Sequence, residues 1–174
     1  MIFINAIVTF GLCFLTHFLY EWIPNPIFAV FFPVNESIWE HMKMLYTTIL
    51  IYGIIEHWIL KRANLHVNNF SLTTVIKSII SIPIYLIIFI PLYNLFGENM
   101  FISISVLFIT LLIVNFIGYK IYDTNKIDIQ KPLSIVIIIL VYALMIYLTY
   151  YPPHTELFYD IKEEKYGINE YVKK

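Results

Sequence analysis

The chain has 174 residues and a formal net charge of -1, and 60% of its residues are hydrophobic while only 13% are charged. Soluble domains carry about 25% charged residues, so this composition cannot cover a water-facing surface and excludes an ordinary soluble domain. A nucleic-acid partner is also excluded, because it would require a basic surface. Cys13 is the single cysteine, which rules out a disulfide within the chain and a cysteine-based zinc site.

Five apolar stretches are long enough to cross the hydrocarbon core, which takes about 20 mostly apolar residues. They cover residues 2–20, 42–60, 72–96, 100–119 and 133–151. The first has no positive region and no small-residue cleavage pattern, so we expect a retained helix rather than a signal peptide. Because unpaired backbone groups cannot face lipid, the predicted fold class is all-α, a polytopic transmembrane helix bundle.

A short segment separates the first two predicted helices. It covers residues 23–34, reads IPNPIFAVFFPV, and is too short to span a membrane. We interpret it as an interfacial or re-entrant segment tucked against the bundle. At the other end of the chain, Pro152 and Pro153 stop the fifth helix. The predicted organisation is therefore one transmembrane domain, 1–151, followed by a short tail, 152–174.

Basic residues are concentrated in the loops after the second and the fourth predicted helix. They are Lys61, Arg62, Lys77, Lys120, Lys126 and Lys131. Short loops rich in lysine and arginine stay in the cytoplasm. The sequence therefore predicts a multi-pass protein of the cell (plasma) membrane, with a cytoplasmic N-terminus and an extracytoplasmic C-terminal tail.

The densest polar block is PVNESIWEHMK, residues 33–43, where the second predicted helix opens. At 100° per residue, one stripe of this helix carries Glu36, Glu40, Lys43 and Thr47, and another carries Ser37, His41, Thr48 and Tyr52. A membrane helix cannot present two polar stripes to lipid. We therefore expect it to line the bundle interior or a water-filled cleft.

A purely structural use of the same block is the alternative. Ser37 and Glu40 have the spacing of a capping box, and Asn35 is an equally good N-cap. Trp39 suits the membrane interface. Lys43 can pair with either glutamate. This alternative leaves His41 and one glutamate unexplained.

The first helix offers a surface for this block to face. Its small and polar side chains recur at helical spacing at Asn5, Thr9, Cys13, Thr16 and Tyr20. Such residues let membrane helices approach closely. His17 lies at the edge of this stripe, near the predicted outer boundary.

The tail brings further ionisable residues to the same side. The candidate ligand-binding residues are His17, Asn35, Glu36, Glu40, His41, Lys43, His154 and Asp160. Among them, Glu36, Glu40 and His41 are the catalytic candidates, and His17, His41 and His154 are the candidate ligands of a divalent metal. Imidazole and carboxylate together suit zinc or a similar ion. The spacing matches no known metal signature, so the sequence favours proton transfer or binding of a polar substrate over binding of a metal.

Two further placements are expected. Asp160 should approach His41 or Lys43, where a carboxylate would orient the imidazole. Glu56 lies about one turn from Arg62 near the predicted cytoplasmic surface, where it can extend to the surface or pair with Arg62. If Glu56 faces inward instead, it continues the stripe of Tyr52.

The block PVNESIWEHMK, preceded by THFLYEW and followed by the tail PPHTELFYDIKEEKYGI, resembles a family of small, uncharacterised bacterial membrane proteins, found mainly in Firmicutes. The resemblance covers essentially the whole chain and implies no activity. Asn35, Glu36, Trp39, Glu40, His41 and Lys43 match the family block, and Pro152, Pro153, Asp160, Tyr166 and Gly167 match its tail. The tail departs from the family pattern at Glu156 and Ile161, where prolines are usual.

These observations predict an integral membrane protein with a polar ligand, metal or catalytic site at its outer face. The ligand would be a polar small molecule or a lipid-linked one, and the sequence leaves open whether a reaction is catalysed. The alternative is a non-catalytic transport accessory or structural membrane protein, in which the block is only a helix cap and anchor. Apart from the lipid bilayer, no partner is indicated.

Overall fold

The computed structural model describes residues 1–168 and the backbone of 170–171. Its helices are α1 (Ile2–Trp22), α2 (Pro26–Phe31), α3 (Ile38–Arg62), α4 (Phe70–Phe96), α5 (Met100–Tyr122) and α6 (Gln130–Tyr150). A short 3-10 helix, Glu156–Phe158, leads into three two-residue strands, β1 (Tyr159–Asp160), β2 (Lys165–Tyr166) and β3 (Glu170–Tyr171), which pair antiparallel in that order. Positions 169 and 172–174 of the predicted tail lie outside the described residues.

Four of the described helices are long and apolar enough to cross a membrane, namely α1, α4, α5 and α6. The predicted all-α membrane bundle is therefore confirmed. The remaining long helix, α3, has 25 residues but carries Glu40, Lys43 and Glu56, all buried inside the bundle. The polar side chains of α3 pack against other helices and do not face lipid. That α3 also crosses the membrane stays a prediction.

The segment between α1 and α3 contains one short helix. Asn25 caps α2, because its side-chain oxygen accepts hydrogen bonds from the N–H groups of Ile27 and Phe28, and Pro26 occupies the first helical position. With six residues, α2 cannot span a membrane, as the sequence predicts. It packs against α6 and also contacts α1 and α3.

The core of the bundle lies between α1, α3, α4 and α5. Its buried side chains include Ala6, Cys13, Leu45, Ile49, Phe89, Val106 and Leu111. Small and hydroxylated residues bring α1 and α3 together: Thr16 and Thr48 hydrogen-bond at 2.6 Å, and Tyr52 donates to Asn5 at 2.8 Å. The predicted stripe on α1 therefore does face the second stripe of α3.

The bundle has two ends that differ in charge. The "tail end" carries the α1–α3 connection, the α4–α5 loop and the tail, and the "basic end" carries the α3–α4 and α5–α6 loops. Lys61, Arg62, Lys120, Lys126 and Lys131 are exposed at the basic end. Asn69 ties its two loops together, donating to the carbonyl of Asn125 and accepting from the N–H of Ile127.

Lys77 was counted with the loop after the second predicted helix, although the third predicted stretch, 72–96, includes it. It lies inside α4, is buried, and its ammonium is 3.4 Å from the carboxylate of Glu56. Gly118 on α5 provides the room, since a Cβ at that position would overlap the stem of Lys77. Five of the six basic residues thus remain at the basic end, and the asymmetry behind the predicted orientation persists.

Glu56 faces inward rather than pairing with Arg62. Its carboxylate accepts hydrogen bonds from Asn5 at 2.6 Å, Lys77 at 3.4 Å and Tyr122 at 3.5 Å. The Arg62 guanidinium instead lies 3.9 Å above the ring of Trp58. Of the two expected placements, the inward one is observed, because three donors from neighbouring helices satisfy the buried carboxylate better than one exposed cation.

The orientation predicts a labelling pattern in intact cells. In a Cys13→Ser background, cysteines replacing Asn68 or Asn125 at the basic end should resist an impermeant thiol reagent. A cysteine replacing Thr155 in the tail should be labelled, because all three positions are exposed in the fold and only the membrane would protect two of them. Labelling at the basic end together with a protected Thr155→Cys would contradict a cytoplasmic N-terminus.

Candidate functional site

The polar block folds into a tight turn that leads into α3. Ser37 is the N-cap, and its hydroxyl accepts from the N–H of Glu40 at 3.4 Å. The N–H of Ser37 donates to the Asn35 side chain at 2.9 Å, whereas the Glu40 carboxylate accepts from the N–H of Val34 at 3.1 Å. Ser37 therefore caps the helix, but Glu40 does not return to it as a capping box would require.

Glu40 and Lys43 form a buried ion pair at the junction of α2, α3 and α6. The Lys43 ammonium also donates to the carbonyl of Ala29 at 2.8 Å and to the hydroxyl of Thr149 at 3.0 Å. Thr149 in turn donates to Glu40 at 2.9 Å. These contacts use the bonding capacity of both charges, so Glu40 and Lys43, two candidates for ligand binding, are placed in a structural network.

The tail docks onto the start of α3. Asp160 is fully buried, and its carboxylate accepts from the N–H groups of Glu36 at 2.9 Å, Lys162 at 2.8 Å and Glu163 at 3.2 Å. Asn35 donates to the carbonyl of Gly167 at 2.9 Å. The expected convergence of tail and helix is present, but Asp160 meets the backbone of Glu36 rather than His41 or Lys43.

Aromatic and backbone contacts hold the docked tail in place. The rings of Trp39 and Phe158 lie 5.0 Å apart, centre to centre. Gly167 adopts a positive φ of 54° and approaches the carbonyl of Thr149 so closely that a Cβ would overlap it. Only glycine combines this backbone conformation with this approach.

Three ionisable side chains outside these networks converge at the tail end. His17 comes from α1, His41 from α3, and Glu36 from the turn between them. The two Nε2 atoms are 3.1 Å apart, and the Glu36 carboxylate lies 3.5 Å from His17 and 3.9 Å from His41. One potential ligand atom from each residue lies within 4.8 Å of the other two. All three side chains are partly accessible. We call them the His–Glu–His cluster.

The orientation of His41 is set by the helix cap. Its Nδ1 lies 2.8 Å from the carbonyl of Ser37, which can only accept, so Nδ1 carries the proton. The lone pair on Nε2 then points at the cluster. A backbone carbonyl holding the second ring nitrogen is the usual companion of a metal-binding histidine.

The spacing of the cluster suits a small divalent cation. In a tetrahedral zinc site with bonds of about 2.0–2.1 Å, neighbouring ligand atoms are about 3.3 Å apart. The two Nε2 atoms, 3.1 Å apart, are close to that value, and one oxygen of the Glu36 carboxylate lies 3.5 Å from His17 while the other lies 3.9 Å from His41. His154, the third predicted histidine ligand, is not part of this group, because its ring stacks on Tyr166 at 4.6 Å. Glu36 occupies the third position instead.

Lys162 is the cation nearest the cluster. Its ammonium lies 3.3 Å from the Glu36 carboxylate, which raises the pKa of Lys162 by direct charge attraction and hydrogen bonding. The side chain is largely exposed and belongs to the docked tail. The Glu36 carboxylate thus lies near Lys162 as well as near the two histidines.

The cluster stands at the mouth of a cavity of about 410 Å³ that is bordered by α1, α3, α4, α5 and the tail. Charged residues line the mouth, namely Glu36, Glu98, Glu156, Asp160 and Lys162. Apolar residues line the depth, among them Cys13, Met42, Met44, Phe89 and Leu107. The contributions of α4 and α5 had no signal in the sequence, because their residues resemble any apolar membrane helix.

The fold and the site define a helical membrane protein with an ionisable cluster over an internal cavity. Residues 1–168 match the model of a family described as a family of unknown function (DUF6512), and the chain belongs to that family. Searches of curated proteins and of solved structures gave no match. The match agrees with the whole-chain resemblance to an uncharacterised family, whose bacterial origin stays a prediction.

The two glutamates of the block should respond differently to neutralisation. Glu40→Gln leaves Lys43 buried without a counter-charge and should lower the free energy of unfolding by about 3 kcal/mol. Glu36→Gln removes only a partly exposed pair and should cost less than about 1 kcal/mol. Thermal unfolding of the purified variants measures both effects.

A double variant provides the control for this comparison. Replacing the pair together, as Glu40→Leu with Lys43→Met, should recover much of the loss, because no lone charge is left buried. Equal destabilisation by Glu36→Gln and Glu40→Gln would contradict the division of roles.

Proposed function

We propose that this membrane protein binds a divalent cation of the zinc class through His17, Glu36 and His41, leaving a coordination position open to a ligand or substrate. The observation that carries the proposal is the convergence of three ligand groups from two helices and a turn, with His41 already oriented by Ser37. Three protein ligands plus an open position is the arrangement of catalytic rather than structural zinc sites.

The surroundings favour a cation. Glu98 and Glu156 join Glu36 at the mouth of the cavity, and Lys162 is the basic residue among the lining side chains. This excess of carboxylates lowers the electrostatic potential where the metal would sit. In the bound state, Glu36 would exchange its pair with Lys162 for the metal, and each imidazole would present its Nε2 lone pair.

The open position supports chemistry at the end of the membrane domain. A bound zinc-class ion polarises a carbonyl or phosphoryl oxygen and makes a coordinated water acidic. The chain's own residues would fix the ion and shield one side of it with the docked tail. The basic residues lie at the opposite end of the bundle, which is therefore the predicted cytoplasmic end. The site would then face the outside of the cell.

The alternative of a structural or accessory membrane protein is supported for part of the block. Asn35, Ser37, Glu40 and Lys43 are explained by capping and by the buried network. The same reading gives no reason for two imidazoles and a carboxylate to meet at an accessible mouth. Some residues of the block therefore have a structural role, and Glu36 and His41 are left for binding.

Metal binding can be measured on the full chain in lipid nanodiscs. Isothermal titration with zinc should give one site per chain, and zinc should raise the melting temperature by mass action. His17→Ala, His41→Ala and Glu36→Gln should each weaken binding by at least about 100-fold, since each removes one of three ligands. His154→Ala is the matched control and should bind as the parent does.

Two results would count against this function. One is a folded parent protein that takes up neither zinc nor cobalt. The other is a loss of affinity in His154→Ala as large as in His41→Ala, which would indicate nonspecific binding by surface histidines.

A further inference from the structure

We propose that the ligand of this site is a single-chain amphiphile, whose oxygen-bearing head binds the metal while its hydrocarbon chain fills the cavity. This inference rests on the proposed metal site and adds the chemical class of what binds there. It follows from the way polarity changes along the cavity.

The cavity extends inward from the cluster along the helix axes. On α4, the lining residues Tyr85, Phe89 and Tyr93 recur every four residues, so they follow one face of the helix for about 12 Å. On α5, Met100 and Leu107 bound a stretch of about 10 Å from mouth to depth. The space is therefore elongated and roughly parallel to the bundle axis.

Polar groups with charge are confined to one end of this space. His17, Glu36 and His41 stand at the mouth with Lys162, whereas Cys13, Met44 and Leu107 line the interior. A small hydrophilic ligand would occupy the mouth and leave the apolar depth empty, although protein interiors are close-packed. A hydrocarbon chain matches the depth, and methionines at Met42 and Met44 can adjust to its shape.

The tail completes the head-binding region. Tyr159, Ile161 and Lys162 line the cavity from above, and the Asp160 carboxylate fixes them by accepting backbone N–H groups. With Glu36 on the metal, the ammonium of Lys162 would be free to contact the head of the ligand. The cavity volume of about 410 Å³ lies within the range of small-molecule sites, about 300–1,000 Å³.

The test uses two metal-chelating probes that differ in chain length, acetohydroxamic acid and dodecanohydroxamic acid. Both are titrated into the zinc-loaded protein in nanodiscs. Leu107→Trp and, independently, Ser103→Phe narrow the cavity from α5. Ile109→Trp is the matched control, because Ile109 lies on the exposed face of the same helix. Partitioning of the long probe into lipid is common to all variants and cancels in the comparison.

The long probe should bind at least about tenfold more weakly to the narrowed variants than to the parent and to Ile109→Trp, since its chain loses many packing contacts. Zinc and acetohydroxamic acid should bind equally in all of them. If the long probe keeps its affinity in both narrowed variants while zinc still binds, the cavity does not hold the chain and the inference is overturned. A parent protein that binds no zinc overturns the proposed metal site itself.

Discussion

The buried ion pair of Glu40 and Lys43 is the contact on which the tail end of the molecule depends. A charge in a membrane bundle is tolerated only when partners satisfy it, and here the partners come from the loop before α3, from α2 and from α6. The hydrogen bonds to the ion pair therefore determine how the loop, α2 and α6 are placed relative to α3. The turn that carries Glu36 is held in place as a consequence.

The same constraint operates at the basic end. Glu56 and Lys77 are buried together, and Asn5, Asn115 and Tyr122 supply the remaining hydrogen bonds. In both networks, the charged groups bond to each other and to neighbouring helices, so their role is structural. The His–Glu–His cluster differs because its members reach the surface and because Lys162 provides Glu36 with an exposed, exchangeable partner. This contrast separates the proposed ligand site from the charges that hold the helices together.

Much of the fold could be predicted because membrane helices leave a strong signal. Long apolar runs indicated α1, α4, α5 and α6, and the proline-bounded segment indicated that α2 is short. The polar stripes of α3 predicted that they line the bundle interior or a water-filled cleft. The partners of buried charges were harder to predict. Glu56 has Arg62 nearby in sequence, yet it pairs with Lys77 on α4, 21 positions away.

The sequence by itself determined the class of the protein, the approximate positions of its long helices and the set of ionisable residues from which a site could be built, because hydropathy and helical spacing are local properties. Only the tertiary structure decided how those residues divide. In the structure, Glu40 and Lys43 lie in a buried network, and Asp160 accepts hydrogen bonds from backbone N–H groups. His17, Glu36 and His41 remain together at the mouth of a cavity. That division depends on which helices pack side by side, and contacts between distant segments are not encoded in any local pattern.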